Sequence, residues 1–179
     1  NYLKSFGYLK EGLENDEVSL EDAVKTLQRF AGLKQTGALD DATLELMKVS
    51  RCSLPDMEAG DQKSKRFETV SEEKATIKIS FEAGNHSDKY RFDGKGGVLG
   101  HGFFPTTGVV HFDDDELWSN NRKEGKQLAW VAIHEFGHAL GLNHSNVTSS
   151  VMFPYYKGYK ENIELQQDDI DGITSLYPN

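Results

Sequence analysis

The sequence predicts an α+β chain, with a small three-helix unit followed by a sheet of short strands that carries one long helix. Three observations point to this class. The first 50 residues hold helical apolar patterns and no strand pattern, and after Ala75 the pattern changes to short alternating runs broken by glycine. The third is the stretch His134-Glu135-Phe136-Gly137-His138-Ala139-Leu140-Gly141-Leu142-Asn143-His144, which reads H-E-x-x-H-x-x-G-x-x-H and is followed by Met152.

The elements follow in order. Leu3, Phe6 and Leu9 form a first apolar stripe. Ser19 opens a second helix with Glu21 and Asp22 in its first turn, Ala23, Val24, Leu27 and Phe30 on its core face, and Gly32 as its stop. Thr36-Gly37 reads as a turn, and Asp40 or Asp41 caps a third helix through Leu44 and Met47. From Ser53 to Ser71 the chain is polar and reads as a linker. Ala75 to Phe81 alternates and is rich in β-branched residues, as a strand requires. Residues 84–108 are glycine-rich, with strand-like pieces at Val98-Leu99 and Val109-Val110, and suit bound ions. Gln127 to Leu140 forms the long helix, and a terminal helix runs from about Asp168 to Leu176.

Composition narrows the function. A formal net charge of −9 argues against a nucleic-acid binder, which needs a basic face. No apolar run is long enough to span a membrane. Asn1 runs directly into Tyr2-Leu3-Lys4 without a signal peptide, so for a secreted protein the numbering begins after processing or trimming. Cys52 is the only cysteine, which excludes an intrachain disulfide.

On a helix, His134 and His138 lie one turn apart and face one metal ion. Gly141 lets the chain turn back so that His144 arrives as a third ligand. Three neutral nitrogens leave a fourth position for water, the mark of a catalytic rather than a structural zinc site. Glu135, beside a ligand, is placed to take a proton from that water. The full pattern is a metzincin signature.

With these motifs in hand, the sequence resembles the matrix metalloproteinases over nearly its whole length. The resemblance implies a helical propeptide at residues 1–56, a linker at 57–70 and a zincin-like catalytic domain at 71–179. Arg51-Cys52-Ser53-Leu54-Pro55-Asp56 is similar to the family's cysteine switch, in which the Cys52 thiolate fills the open zinc position and Arg51 pairs with Asp56. Ser50 and Ser53 depart from the family's Pro and Gly. Lys63-Ser64-Lys65-Arg66 resembles a convertase site, which puts activation cleavage near Arg66.

His86, Asp88, His101 and His111 resemble the ligands of a structural zinc, so all six histidines are assigned and two zinc ions are implied. Asp93, Gly94, Gly96 and Val98, with Asp113 and Glu116, resemble a calcium loop, implying at least one calcium ion. Thr76 stands where a further calcium site needs Asp, so that ion is not expected. Met152 resembles the Met-turn floor. Leu99 and Gly100 fall on the strand that pairs with substrate, and Pro154 and Tyr156 on the outer wall of the specificity pocket. A strand and a long helix that the family carries after Arg66 have no counterpart before Ala75, so the expected sheet is a reduced, twisted mixed one.

The resemblance therefore implies a secreted, latent, zinc-dependent endopeptidase, expected as a monomer. It would cut extended segments of matrix or pericellular proteins and be held in check by protein metalloproteinase inhibitors. The rival reading is a catalytically impaired, splice-like or divergent form that acts by binding. A wall-polysaccharide-binding role for the helical first part is disfavoured by the switch motif at its end.

Overall fold

The computed structural model describes residues 2–9, 18–57, 74–119 and 124–178. Residues 58–71 of the expected linker, the cleavage site at Arg66 and most of the stretch before Ala75 lie outside the described residues, whereas Ser53, Leu54 and Asp56, at the start of that polar stretch, are buried.

The first unit holds three short helices. Helix α1 is one turn, Tyr2–Ser5. Helix α2, Leu20–Phe30, starts where Ser19 Oγ accepts the backbone N–H of Asp22 at 3.1 Å, and it ends just before Gly32 at φ 72°. Helix α3, Asp41–Leu46, is capped by Asp40, which accepts the N–H of Thr43 at 3.0 Å. Leu3, Phe6, Tyr8, Ala23, Val24 and Leu27 form its core. The buried Gln28 amide joins α2 to α3 through Thr43 Oγ1 at 2.9 Å and to the intervening turn through the Gly37 N–H at 2.9 Å. A buried amide so fully partnered costs little and fixes one packing.

The second unit is a mixed sheet in the order β1-β3-β4-β2. Its strands are β1, Arg51–Cys52, β2, Lys78–Glu82, β3, Val98–Gly102, and β4, Val109–Asp113. The β1/β3 and β2/β4 pairs are parallel and β3/β4 is antiparallel. Strands β5, Trp118–Ser119, and β6, Lys126–Gln127, form a separate parallel pair.

Helix α4, Leu128–Ala139, lies on the sheet and buries Trp130, Val131 and Ala139 against Leu99, Val110 and Phe112. The approach is close, since a Cβ on Gly102 would collide with the carbonyl of Glu135. Helix α5, Gln167–Leu176, closes the chain. Among the described residues no helix is long and apolar enough to cross a membrane.

The architecture is the α+β class that the sequence predicts, with two differences. The strand expected from Ala75 starts at Lys78. Strands β1, β5 and β6 carry no sequence signal, because each is two residues long and exists only through its partner.

Candidate metal centres

Helix α4 places His134 and His138 one turn apart, and the chain then turns at Gly141, whose φ of 108° suits glycine alone. The turn brings His144 back, with its Nε2 3.2 Å from His134 Nε2. His138 Nε2 is also 3.2 Å from His134 Nε2. Cys52 Sγ joins them, and the four ligand atoms lie within 4.8 Å of one another.

Proton positions explain why these nitrogens converge. His134 Nδ1 donates to the Val151 carbonyl at 2.6 Å and His138 Nδ1 to the Leu142 carbonyl at 2.7 Å, since a carbonyl can only accept. Each Nε2 is then a bare lone pair aimed at its neighbours, an arrangement that suits a cation between them. Two nitrogens at about 2.05 Å from a tetrahedral zinc would stand about 3.3 Å apart, so the observed spacing fits zinc. Burial holds the His134 imidazole down at about 3 and His138 well below its ordinary value, which keeps both in the neutral, ligating form.

Glu135 is fully buried beside these histidines, and Oε1 has no hydrogen-bond partner. Oε2 lies 3.4 Å from Cys52 Sγ. Burial pushes its carboxyl up to about 8, and a cation among the histidines would draw it back down. Burial, with the neighbouring Glu135, likewise raises the Cys52 thiol well above its ordinary value. A metal would reverse that too, because a coordinated thiol is deprotonated.

The floor is built from three pieces. A Cβ on Gly137 would collide with Met152 Sδ, so glycine here lets α4 sit directly on Met152. Asp169 of α5 accepts the N–H groups of Val151 and Met152 at 3.1 and 3.2 Å and the Ser150 hydroxyl at 2.5 Å. That grip holds the carbonyl that orients His134. Asp169 escaped sequence reasoning; its one signal was an acidic residue in the first turn of the last helix.

Residues 50–53 lie extended between β3 and the wall segment. Arg51 N donates to Gly97 O at 2.8 Å and Ser53 N to Gly100 O at 3.1 Å. On the other side Cys52 N donates to Pro154 O at 3.1 Å and Tyr156 N to Ser50 O at 2.9 Å. Of the residues expected at substrate, Gly100, Pro154 and Tyr156 thus bond to this segment, while Leu99 is buried in the core beside it. The Tyr156 hydroxyl also accepts the Gln127 N–H at 2.9 Å, tying the wall to the start of α4.

Arg51 and Asp56 pair at 2.5 Å with both side chains buried. Arg51 also donates to the Tyr2 and Tyr155 hydroxyls at 3.1 and 3.2 Å and lies 3.5 Å over the Phe6 ring. Asp56 accepts the Tyr8 hydroxyl at 2.5 Å and stands 2.8 Å from His144 Nδ1, although that approach is not aligned as a hydrogen bond. Burial opposes its charge, but Arg51 and His144 together hold the Asp56 carboxyl down at about 2. The tyrosines around this pair had no sequence signal.

A second cluster joins His86, Asp88, His101 and His111. Asp88 Oδ2 is 2.9 Å from both His101 Nε2 and His111 Nδ1 and 3.2 Å from His86 Nε2. His101 Nε2 is 3.1 Å from His111 Nδ1 and 3.4 Å from His86 Nε2. Three nitrogens and one carboxylate at these spacings also fit a tetrahedral zinc with no open position. Burial holds the His101 imidazole at about 4.

The glycine loop forms the third candidate. Val98 N donates to Asp93 Oδ1 at 2.9 Å and Gly96 N to Glu116 Oε1 at 2.5 Å. Gly94 and Gly96 both have positive φ. Burial raises both the Asp113 and Glu116 carboxyls, helped by Asp115 and Asp93 beside Asp113 and by Asp113 and Asp93 beside Glu116. Asp113 Oδ2 is buried without a partner. A surplus of oxygen and negative charge in a flexible loop fits a hard cation such as calcium.

An α+β fold in which a long helix presents H-E-x-x-H to a third histidine and a methionine floor defines a zincin-type metalloprotein. Residues 57–178 match the matrixin family, and residues 1–47 match a putative peptidoglycan binding domain. The chain is 36% identical to matrilysin of Rattus norvegicus over 223 residues, covering 99% of the chain and 83% of that protein. It is 36% identical to the hatching enzyme of Paracentrotus lividus and to macrophage metalloelastase of Oryctolagus cuniculus, and covers 98% and 99% of the chain. The chain spans 38% and 49% of those two relatives. The chain belongs to the matrixin family of zinc metalloendopeptidases. The pairing with matrilysin runs over more residues than the 179 of the chain, so the relative carries residues that this chain lacks.

Proposed function

We propose that this chain is the latent form of a secreted metalloendopeptidase that cuts extended segments of matrix proteins. Residues 1–56 act as its propeptide, 57–70 as the linker cut near Arg66, and 71–179 as its catalytic domain. The observation that carries this reading is the Cys52 thiol, gathered with His134, His138 and His144 by a segment that lies extended in the cleft.

His134, His138 and His144 would hold the catalytic zinc, and His86, Asp88, His101 and His111 a structural one. Asp93, Gly94, Gly96, Val98, Asp113 and Glu116 would hold calcium. Bound zinc supplies a Lewis acid for the scissile carbonyl and for a water molecule. Glu135 takes the proton of the attacking water and passes it to the leaving amine. Its carboxylate, buried beside the histidines, is placed for this role. In the latent state Cys52 denies that position to water. The β1 segment runs parallel to β3 and bonds to both walls, so an extended substrate has no free edge there until it leaves.

The rival reading, a divergent member that only binds, is less well supported. The strand and helix proposed to lack counterparts would precede β2 in the chain; β2 is at the far edge of the sheet from β1, and no proposed ligand of the catalytic zinc comes from β2. The test is zinc content by elemental analysis, together with a quenched-peptide assay of intact, thiol-treated and Cys52→Ser protein. Two zinc ions per chain, with turnover that appears only after the thiol is blocked, cleaved off or replaced, are expected. Zinc-loaded protein that stays inert after removal of residues 1–66 would favour the binding role.

A further inference from the structure

Strand β2 is the last strand of the sheet and has no strand partner on its outer edge among the described residues. An open edge with apolar side chains is a template for another strand. Here Ile79 is 54% and Phe81 44% exposed. Their register partners on β4 are Val110 and Phe112, both core residues, so Ile79 and Phe81 extend the core face beyond the point where the described residues cover it.

The strand reads Lys78-Ile79-Ser80-Phe81-Glu82 and is complementary to itself when reversed. Two copies running antiparallel about a two-fold axis at Ser80 would set Lys78 of each opposite Glu82 of the other. Ile79 would then lie opposite Phe81. Directly opposed residues in such a pair have Cβ atoms about 5 Å apart, within reach of ion pairs and of aliphatic–aromatic contact. A slip of two residues would leave one charge of each pair unmatched and uncover the apolar pair, so one register is favoured. The contact is isologous and closes on itself. The opposite end of the sheet cannot extend the array, because β1 is already bridged to Tyr155.

We propose that β2 is the interface of a homodimer in which the two sheets join edge to edge through antiparallel β2 strands. The occupant of this edge is a second copy of the chain, because the charge pattern of the strand matches its own reverse. The monomer expected from sequence is the dissociated form. This inference does not depend on peptidase activity.

The test is sedimentation equilibrium of the zinc-loaded chain over a wide concentration range. The wild type should dimerise. Glu82→Lys and Lys78→Glu should each put like charges face to face and weaken the dimer by on the order of tenfold or more. The double variant Lys78→Glu/Glu82→Lys should restore association. Ile79→Lys, which removes the apolar pair without touching either charge, should also give monomer. All three positions lie on an edge strand and none is buried, and unchanged zinc content would verify each fold. A wild type that stays monomeric, a dimer indifferent to the single changes, or a double variant as weak as the singles would each overturn the proposal.

Discussion

Replacing Arg51 with methionine should open the latent form while leaving the fold of the catalytic part intact. The side chain is 2% exposed and makes five contacts at once: Asp56 at 2.5 Å, two tyrosine hydroxyls, the Cys52 carbonyl at 3.0 Å and the Phe6 ring. Methionine has similar length, so packing against Phe6 survives and the loss is electrostatic. Asp56 is left 0% exposed with only the Tyr8 hydroxyl and His144 to hold its charge. Breaking one side of a buried pair costs about 3–5 kcal/mol. The remaining partners of Asp56 place this case near about 3 kcal/mol, or roughly a hundredfold more of the open state.

The assay is the labelling rate of the only thiol in the zinc-loaded protein, read beside peptide turnover without an activator. Cys52 is 4% exposed when closed, so labelling reports opening. Both rates should rise by about two orders of magnitude in Arg51→Met. Arg51→Lys, which keeps charge but loses the planar fork, should fall between. Both rates within about threefold of wild type, in a variant that keeps its zinc, would refute the view that this ion pair holds the segment in the cleft.

Glu135→Gln should keep the zinc content and lower turnover of the activated protein by about two to four orders of magnitude, measured by quenched-peptide hydrolysis. Ser53→Gly removes a side-chain contact of 3.1 Å between Ser53 Oγ and His101 Nδ1, worth about 0.5–1.5 kcal/mol, so Cys52 labelling should quicken by several-fold. Calcium chelation should speed hydrogen exchange in residues 84–116 before it touches α4, because Asp113 and Glu116 would then repel across the glycine loop. Equal change in both regions, or none, would mean the loop needs no ion.

What could be read in the sequence was whatever is encoded locally. His134, His138, Gly141 and His144 sit within one helix and its exit, so spacing alone brings them to one point. The helix starts at Ser19 and Asp40 were legible because a side-chain oxygen two or three residues ahead of a free N–H is a short-range event. The Arg51–Cys52 strand was not, because both its partners, Gly97–Gly100 and Pro154–Tyr156, come from elsewhere in the chain. The same holds for Asp169, and for Tyr2, Tyr8 and Tyr155, whose hydroxyls matter only once two separate units meet over one ion pair. Ser50 and Ser53 depart from the family's Pro and Gly, yet each hydroxyl finds a partner. Ser50 Oγ accepts Lys126 Nζ at 2.7 Å, and Ser53 faces His101. A motif comparison prices a missing Pro or Gly but is blind to a new hydrogen bond.

A strand and helix missing before β2, as proposed, need not disturb this site. The contacts that shape the first metal cluster come from α4, the 142–152 return, α5 and the segment from β1 to Asp56, and β1 lies at the opposite end of the sheet from β2. Ile79 and Phe81 stand exposed on β2, at about 25 cal/mol for each Å² left in water, but no ligand of that cluster comes from β2. The cost is therefore global stability rather than local geometry. Two features of the chain can offset a global cost without touching the cleft: ions that bind only the folded state, and a second copy that covers the bare edge. Both make stability depend on concentration, of metal in one case and of the chain in the other. Melting temperatures measured across both variables should therefore rise with each independently.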